Sequence, residues 1–174
     1  MKLETPEEKM NLITKLKEID LRQDEINLKR PVIGKNLEKI KNYWRVGLTY
    51  TSNALEGNQL TESETKVIIE DGITIGGKSL RDTLECIGHA HAVQYVYQLK
   101  NIEDEMLMIE LHKIFFSGID LENAGSYRKD NVIITGTDYK PPDFTEVPGL
   151  IKKAFSECKN QHPVIAAAER HLIV

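Results

Sequence analysis

Ser52-Asn53-Ala54-Leu55-Glu56-Gly57-Asn58-Gln59-Leu60-Thr61-Glu62-Ser63-Glu64 ends one helix and opens the next. Gly57 and Asn58 both tolerate the left-handed conformation that terminates helices. Thr61 and Glu64 then form a capping box: the hydroxyl takes the N–H three residues on, and the carboxylate reaches back. This stop-and-start pattern belongs to a chain of short-linked helices. One residue is discordant. Glu56 places a carboxylate at a helix C-terminus, against the negative end of the dipole, at a cost of about 0.3–1 kcal/mol. That placement calls for a cationic partner elsewhere; the alternative is an ordinary helix end with a Gly cap.

Working outward, the same signals recur. Thr5-Pro6-Glu7-Glu8 is another helix start, with Pro6 suited to the first helical position. Met10, Ile13, Leu16, Ile19 and Ile26 hold a helical period until Pro31, on an otherwise charged segment. This is expected to be a peripheral helix. A second helix spans about Gly34 to Glu56 and carries Leu37, Ile40, Tyr43, Trp44, Leu48 and Leu55. A short third one runs from Thr61 through Val67 and Ile68 to Asp71-Gly72. After a loop containing Gly76-Gly77, Ser79 opens a long helix with Leu80, Leu84, Ile87, Val93, Tyr95 and Tyr97. Asn101 is the expected cap of the next, which holds Met108, Leu111, Ile114 and Phe115. Val147, Leu150, Ile151, Ala154 and Phe155 mark another. Pro163 opens the last, whose apolar stripe stops at Leu172-Ile173-Val174 without a terminating residue. From that ending the chain is expected to be cut inside an element.

Only residues 118–148 depart from this texture. Gly125-Ser126-Tyr127-Arg128-Lys129-Asp130-Asn131 is turn chemistry, and Val132-Ile133-Ile134-Thr135 is β-branched throughout. Gly136-Thr137-Asp138 turns again before Tyr139 and Pro141-Pro142. The pattern predicts one small β-hairpin near Val132–Tyr139 in an otherwise all-α domain. Its exposed strand edge would be a template for an extended peptide.

Composition narrows the functional classes. The chain has 174 residues and 40% hydrophobic content, enough for a core, and a net charge of −4 at a sequence pI of 5.8. Such a balance argues against a general electrostatic grip on nucleic acid. No apolar run approaches the roughly 18 residues of a membrane span. The acidic N-terminus lacks a signal-peptide pattern. Cys86 and Cys158 form no Cys-x-x-Cys pair, so neither a zinc ribbon nor a disulfide framework is encoded. The cytoplasm is the expected compartment.

Generic catalytic motifs are missing: there is no phosphate loop, Gly-x-Gly-x-x-Gly, His-Glu-x-x-His or Gly-x-Ser-x-Gly. His89 and His91 are two apart on a helix and point away from each other. His112 reads as a satisfied core or surface histidine. His162 and His171 are too weakly patterned for a metal, and no metal ligand is assigned.

Several motifs taken in order resemble the Fic proteins, whose complete members are AMP transferases. Ser52…Glu56-Gly57 resembles the family's inhibitory motif, Ser/Thr-x-x-x-Glu-Gly/Asn, on the N-terminal side of the core. Thr61-Glu62-Ser63-Glu64 follows it. Leu111-His112 precedes Gly125-x-Tyr127-Arg128-x-x-Asn131-Val132-x-Ile134-x-Gly136, and Pro141-Pro142 comes next. His162-Pro163 and Ala167-Ala168-Glu169-Arg170-His171 resemble the helix that enters the catalytic loop. The likeness covers about residues 37–174. The family's signature, His-Pro-Phe-x-Asp/Glu-Gly-Asn-Gly-Arg/Lys-x-x-Arg, is not in these residues, and His162-Pro163-Val164 departs from it. By the family's spacing that loop would begin about four residues past Val174.

The resemblance implies a Fic-like helical domain with a hairpin flap. It divides the chain into a peripheral helix (1–31), a segment carrying the inhibitory helix (32–60) and a core incomplete at its C-terminus (61–174). It implies AMP transfer from ATP, with Mg²⁺, to a hydroxyl of a target protein. In that scheme Ser52, Glu56 and Gly57 form the inhibitory motif, with Glu56 paired to the last arginine of the absent motif and Ser52 steadying the helix at the site. Arg128, Val132, Ile133, Ile134, Thr135 and Gly136 dock the target by strand addition. No catalytic residue is assigned within these 174 residues, which alone are expected to be inactive. A homo-oligomer is a further partner compatible with this reading. Two alternatives stay open: a helical interaction module without chemistry, and a relative that transfers another phosphate-containing group.

Overall fold

The computed structural model describes residues 5–99, 105–158 and 161–173. Among these residues seven α-helices run in the order α1 (Pro6–Asn27), α2 (Gly34–Leu55), α3 (Glu62–Lys66), α4 (Leu80–Val96), α5 (Glu105–Phe116), α6 (Val147–Glu157) and α7 (Pro163–Ile173). Among the described residues there is no strand. The all-α expectation holds, and its one exception does not: the hairpin near Val132–Tyr139 is replaced by a loop. The expected cap at Asn101 and the chain end at Val174 lie outside the described residues.

The capping chemistry sets the helix starts. Thr5 Oγ1 accepts from the Glu8 N–H at 3.2 Å, and Glu8 accepts from the Thr5 N–H at 2.9 Å. The Thr61–Glu64 pair repeats this at 3.2 and 2.7 Å. Ser79 Oγ accepts from the Asp82 N–H at 2.9 Å. The helix opened by Thr61 does not finish as an α-helix. It widens into a π-helical turn, Val67–Asp71, and stops on Gly72 at φ +67°.

α2, α4 and α5 form the packed centre. Gly88 of α4 sits where a Cβ would come within 2.3 Å of the Phe115 carbonyl oxygen, so only glycine lets α4 and α5 approach this closely. Leu60, Ile68 and Cys86 cluster with Ile69 and Ile75 beneath the π-helical turn. Burial of the Cys86 thiol pushes its pKa up to about 11, leaving it a small inert hydrophobe. Ile151 and Ala154 on α6, Cys158 at its C-cap and Ala166 on α7 are buried. α1 stands apart. It has no buried residue, and His162 Nε2 ahead of α7 meets its Asp20 carboxylate at 3.1 Å. Among the described residues no helix is long and apolar enough to cross a membrane.

Candidate functional site

α2 is positioned by one buried face. Val46, Thr49 and Asn53 lie at successive turns on that face and are all buried. Thr49 is fully buried, with its hydroxyl 3.0 Å from His89 Nδ1 on α4. A hydroxyl can donate or accept, so it satisfies either tautomer of the ring. Burial lowers the His89 pKa below the ordinary histidine value, and the Phe115 ring lies edge-on to it at 6.3 Å. Nearer the start of α2, Arg45 Nη1 donates to Gln94 Oε1 at 3.3 Å.

The same geometry turns Ser52 and Glu56 away from that seam. Ser52 is half-buried, and Glu56 caps α2, exposed, at φ −88° and ψ 6°. Gly57 follows at φ +93°, where a side chain would be strained. The structure therefore places Ser52, Glu56 and Gly57 together at the end of α2. The Glu56 carboxylate has no hydrogen-bond or ion-pair partner among the described residues.

Sequence reasoning missed what holds this end. Asn58 reads as a helix stop, yet its side chain is buried and satisfied. Nδ2 donates to the Asp82 carbonyl at 3.0 Å and to Glu85 Oε2 at 3.1 Å, and Oδ1 accepts from the Leu60 N–H at 3.0 Å. Glu85 is itself held by Arg81 Nε at 2.8 Å. Lys78, from the glycine loop, donates to the Gln59 carbonyl at 2.6 Å and pairs with Glu64 at 3.1 Å. The Thr61 N–H, with help from Lys78, keeps the Glu64 carboxyl below the usual carboxylate range. An asparagine directly after a Gly cap was the only hint in the sequence.

The expected flap residues occupy a loop. Residues 131–134 carry no ladder, and a turn follows at 135–136, with Gly136 at φ +84°. Val132, Ile133 and Ile134 are all exposed, Ile133 to 89%, so none of them is buried as the inner face of a half-buried strand would be. The opposing stretch contains Pro141 and Pro142, which have no N–H to donate to a ladder. Side chains bridge the loop instead. Arg128 Nη2 donates to the Pro142 carbonyl at 2.7 Å. Asn131 Nδ2 donates to Asp143 Oδ2 at 2.8 Å, and its Oδ1 accepts from the Phe144 N–H at 2.9 Å. Hydrogen bonds from Thr145 and Asn131 bring the Asp143 pKa down to about 2. At the loop's base the Gly125 N–H donates to His112 Nδ1 at 2.9 Å, giving His112 a structural role. A cavity of about 260 Å³ lies between the loop and α6, lined by Arg128, Val132, Ile134, Tyr139, Leu150 and Ile151.

Among the described residues no three His, Cys, Asp or Glu side chains gather as metal ligands. His89 and His112 are engaged with Thr49 and Gly125, and His162 with Asp20. The chain's two candidate elements are therefore a poised carboxylate and an exposed loop.

No family model matches the chain. A protein adenylyltransferase Fic from Nematostella vectensis is 33% identical over 97 residues, covering 53% of this chain and 22% of that protein. The Drosophila erecta protein adenylyltransferase Fic is 28% identical over 131 residues, covering 70% and 26%. Among solved structures, Fic-1 from C. elegans superposes with a TM-score of 0.76 at 24% identity, over 94% of this chain and 50% of that one. A Fic family protein from Desulfovibrio desulfuricans G20 gives 0.72 at 22% identity, over 99% and 51%. The chain spans about a quarter of the length of these curated relatives and half of the solved chains. The sequence likeness to the first pair supports a Fic domain in this chain, and the fold likeness to the second shows that it has the all-α Fic fold.

Proposed function

We propose that this chain works within a protein adenylyltransferase that moves AMP from ATP to a hydroxyl side chain of a target protein. Ser52, Glu56 and Gly57 are its inhibitory element. One observation carries the reading: α2 is locked by buried contacts, yet ends on an exposed carboxylate without a partner among the described residues. A carboxylate held this way favours a cation brought to it, and a cation so engaged is withdrawn from phosphate binding. Loss of one such interaction in a water-poor site changes rates by roughly two to three decades. The groups that perform the transfer are not assigned to these residues.

The loop from Arg128 to Gly136 is the target-docking element in this reading. Val132, Ile133, Ile134 and Thr135 lack ladder partners, so their backbone groups are available to an extended segment. Arg128 anchors the loop's base through the Pro142 carbonyl. Main-chain pairing gives register and little side-chain selectivity.

The test uses two labels. The full-length gene product is incubated with Mg²⁺, target-containing lysate and ATP labelled on either the α- or the γ-phosphate. AMP transfer puts the α-label on protein and leaves the γ-label in pyrophosphate. Transfer of the γ-label, or of neither label even when Glu56→Gly is introduced, would overturn the reading. The 174 residues alone are expected to label nothing.

A further inference from the structure

The end of α2 is gripped from two directions. Upstream, the Thr49–His89 contact fixes the helix two turns before Glu56. Downstream, the Asn58 N–H closes the final turn on the Asn53 carbonyl at 3.0 Å, the same oxygen that takes the Glu56 N–H at 3.1 Å. The Asn58 side chain is meanwhile tied to Asp82 and Glu85 of α4. One residue thus links the turn bearing Glu56 to the packed centre. Lys78 adds a second tie one residue on, holding the Gln59 carbonyl, and its bridge to Glu64 is largely shielded, with the two side chains 23% and 25% exposed. Helix ends fray when nothing beyond them is fixed.

Resting on the inhibitory reading of Glu56, we infer that Asn58 and Lys78 are positioning residues that latch the end of α2. Releasing the latch lets the turn carrying Glu56 fray and lifts the inhibition. Neither side chain needs to touch nucleotide or target. The inference explains why a buried amide with three hydrogen bonds follows directly after an exposed carboxylate: the first aims the second.

The experiment measures α-label transfer by the full-length gene product carrying Glu56→Gly, Asn58→Leu, Lys78→Met, Lys78→Arg, or Glu56→Gly with Asn58→Leu. Asn58→Leu and Lys78→Met are each expected to raise labelling about tenfold. Lys78→Arg keeps a cation and stays near wild type. The double variant labels no more than Glu56→Gly alone, because Asn58 acts only through Glu56. A merely structural role predicts lower melting temperature with labelling unchanged or reduced, and that result overturns the latch while Glu56→Gly still activates. If Glu56→Gly itself leaves labelling flat, the inhibitory reading falls and the latch with it. Should Asn58→Leu not fold, amide exchange in Lys78→Met decides. Faster exchange at Glu56, Gly57 and Asn58 than at Val46–Asn53 supports the latch, and unchanged exchange contradicts it.

Discussion

The end of α2 and the loop before α6 both present exposed groups, but they are built in opposite ways. At the end of α2, buried Thr49, Asn53 and Asn58 fix the backbone, and a single carboxylate stands out from it. In the loop, the ties among Arg128, Asn131 and Asp143 are mostly at the surface, and three apolar side chains face solvent. A rigid backbone suits one charge that must be aimed. A loop whose backbone lacks ladder partners suits a surface that pairs with whatever extended segment is offered. The difference follows from burial, since a hydrogen bond lost inside leaves its partner unsatisfied and one lost outside is replaced by water.

The sharpest way to break this comparison is to remove one asparagine from each region. Asn58→Ala is expected to destabilise the protein by about 2–4 kcal/mol, because the Glu85 carboxylate and the Leu60 N–H lose a buried partner. Asn131→Ala should cost about 1 kcal/mol or less in the same denaturant titration. Equal losses would erase the distinction.

Acidification separates the regions next. Unfolding exposes His89, which then takes up a proton that the folded ring resists. The seam between α2 and α4 should therefore lose stability as pH falls below the ordinary histidine value of 6.5, and His89→Gln should flatten that slope. The loop responds in a lower window. Asp143, depressed from 3.8 to about 2, contributes stability that is present above 3.8 and lost as pH falls toward 2. Amide exchange at Phe144 and Thr145 should rise there, and Asp143→Asn should remove the dependence. The smallest effect is expected from Ile133→Ser. It should shift stability by no more than about 0.5 kcal/mol, while reducing target labelling by the full-length gene product. A large melting shift would show that Ile133 packs somewhere.

Most of the helical architecture was legible because its signals are local. Thr5–Glu8, Thr61–Glu64 and Ser79 act within three residues of themselves, and the structure forms each cap as read. The loop was misread for the converse reason. Val132-Ile133-Ile134-Thr135 has strand-like side chains, but a hairpin also needs donors opposite, and Pro141-Pro142 supplies none. The π-helical turn at Val67–Asp71 had no sequence signal that we can name. The helix end that carries Ser52, Glu56 and Gly57 was legible. What holds them was not, because Asn58 finds Asp82 and Glu85 far along the chain and Lys78 reaches back to Gln59 from a loop.

The central claim is that an aimed carboxylate restrains a transferase, and the most direct test compares Glu56 with Glu56→Gly in the full-length gene product. Both proteins are given α-labelled ATP and Mg²⁺, and melting temperature is recorded alongside incorporation of label. The account predicts that labelling of target or self rises by about two to three decades while the melting temperature hardly moves, since the lost charge sits unfavourably on the helix dipole. Labelling that stays flat in a folded variant would contradict it and reduce Glu56 to an ordinary residue at a helix end.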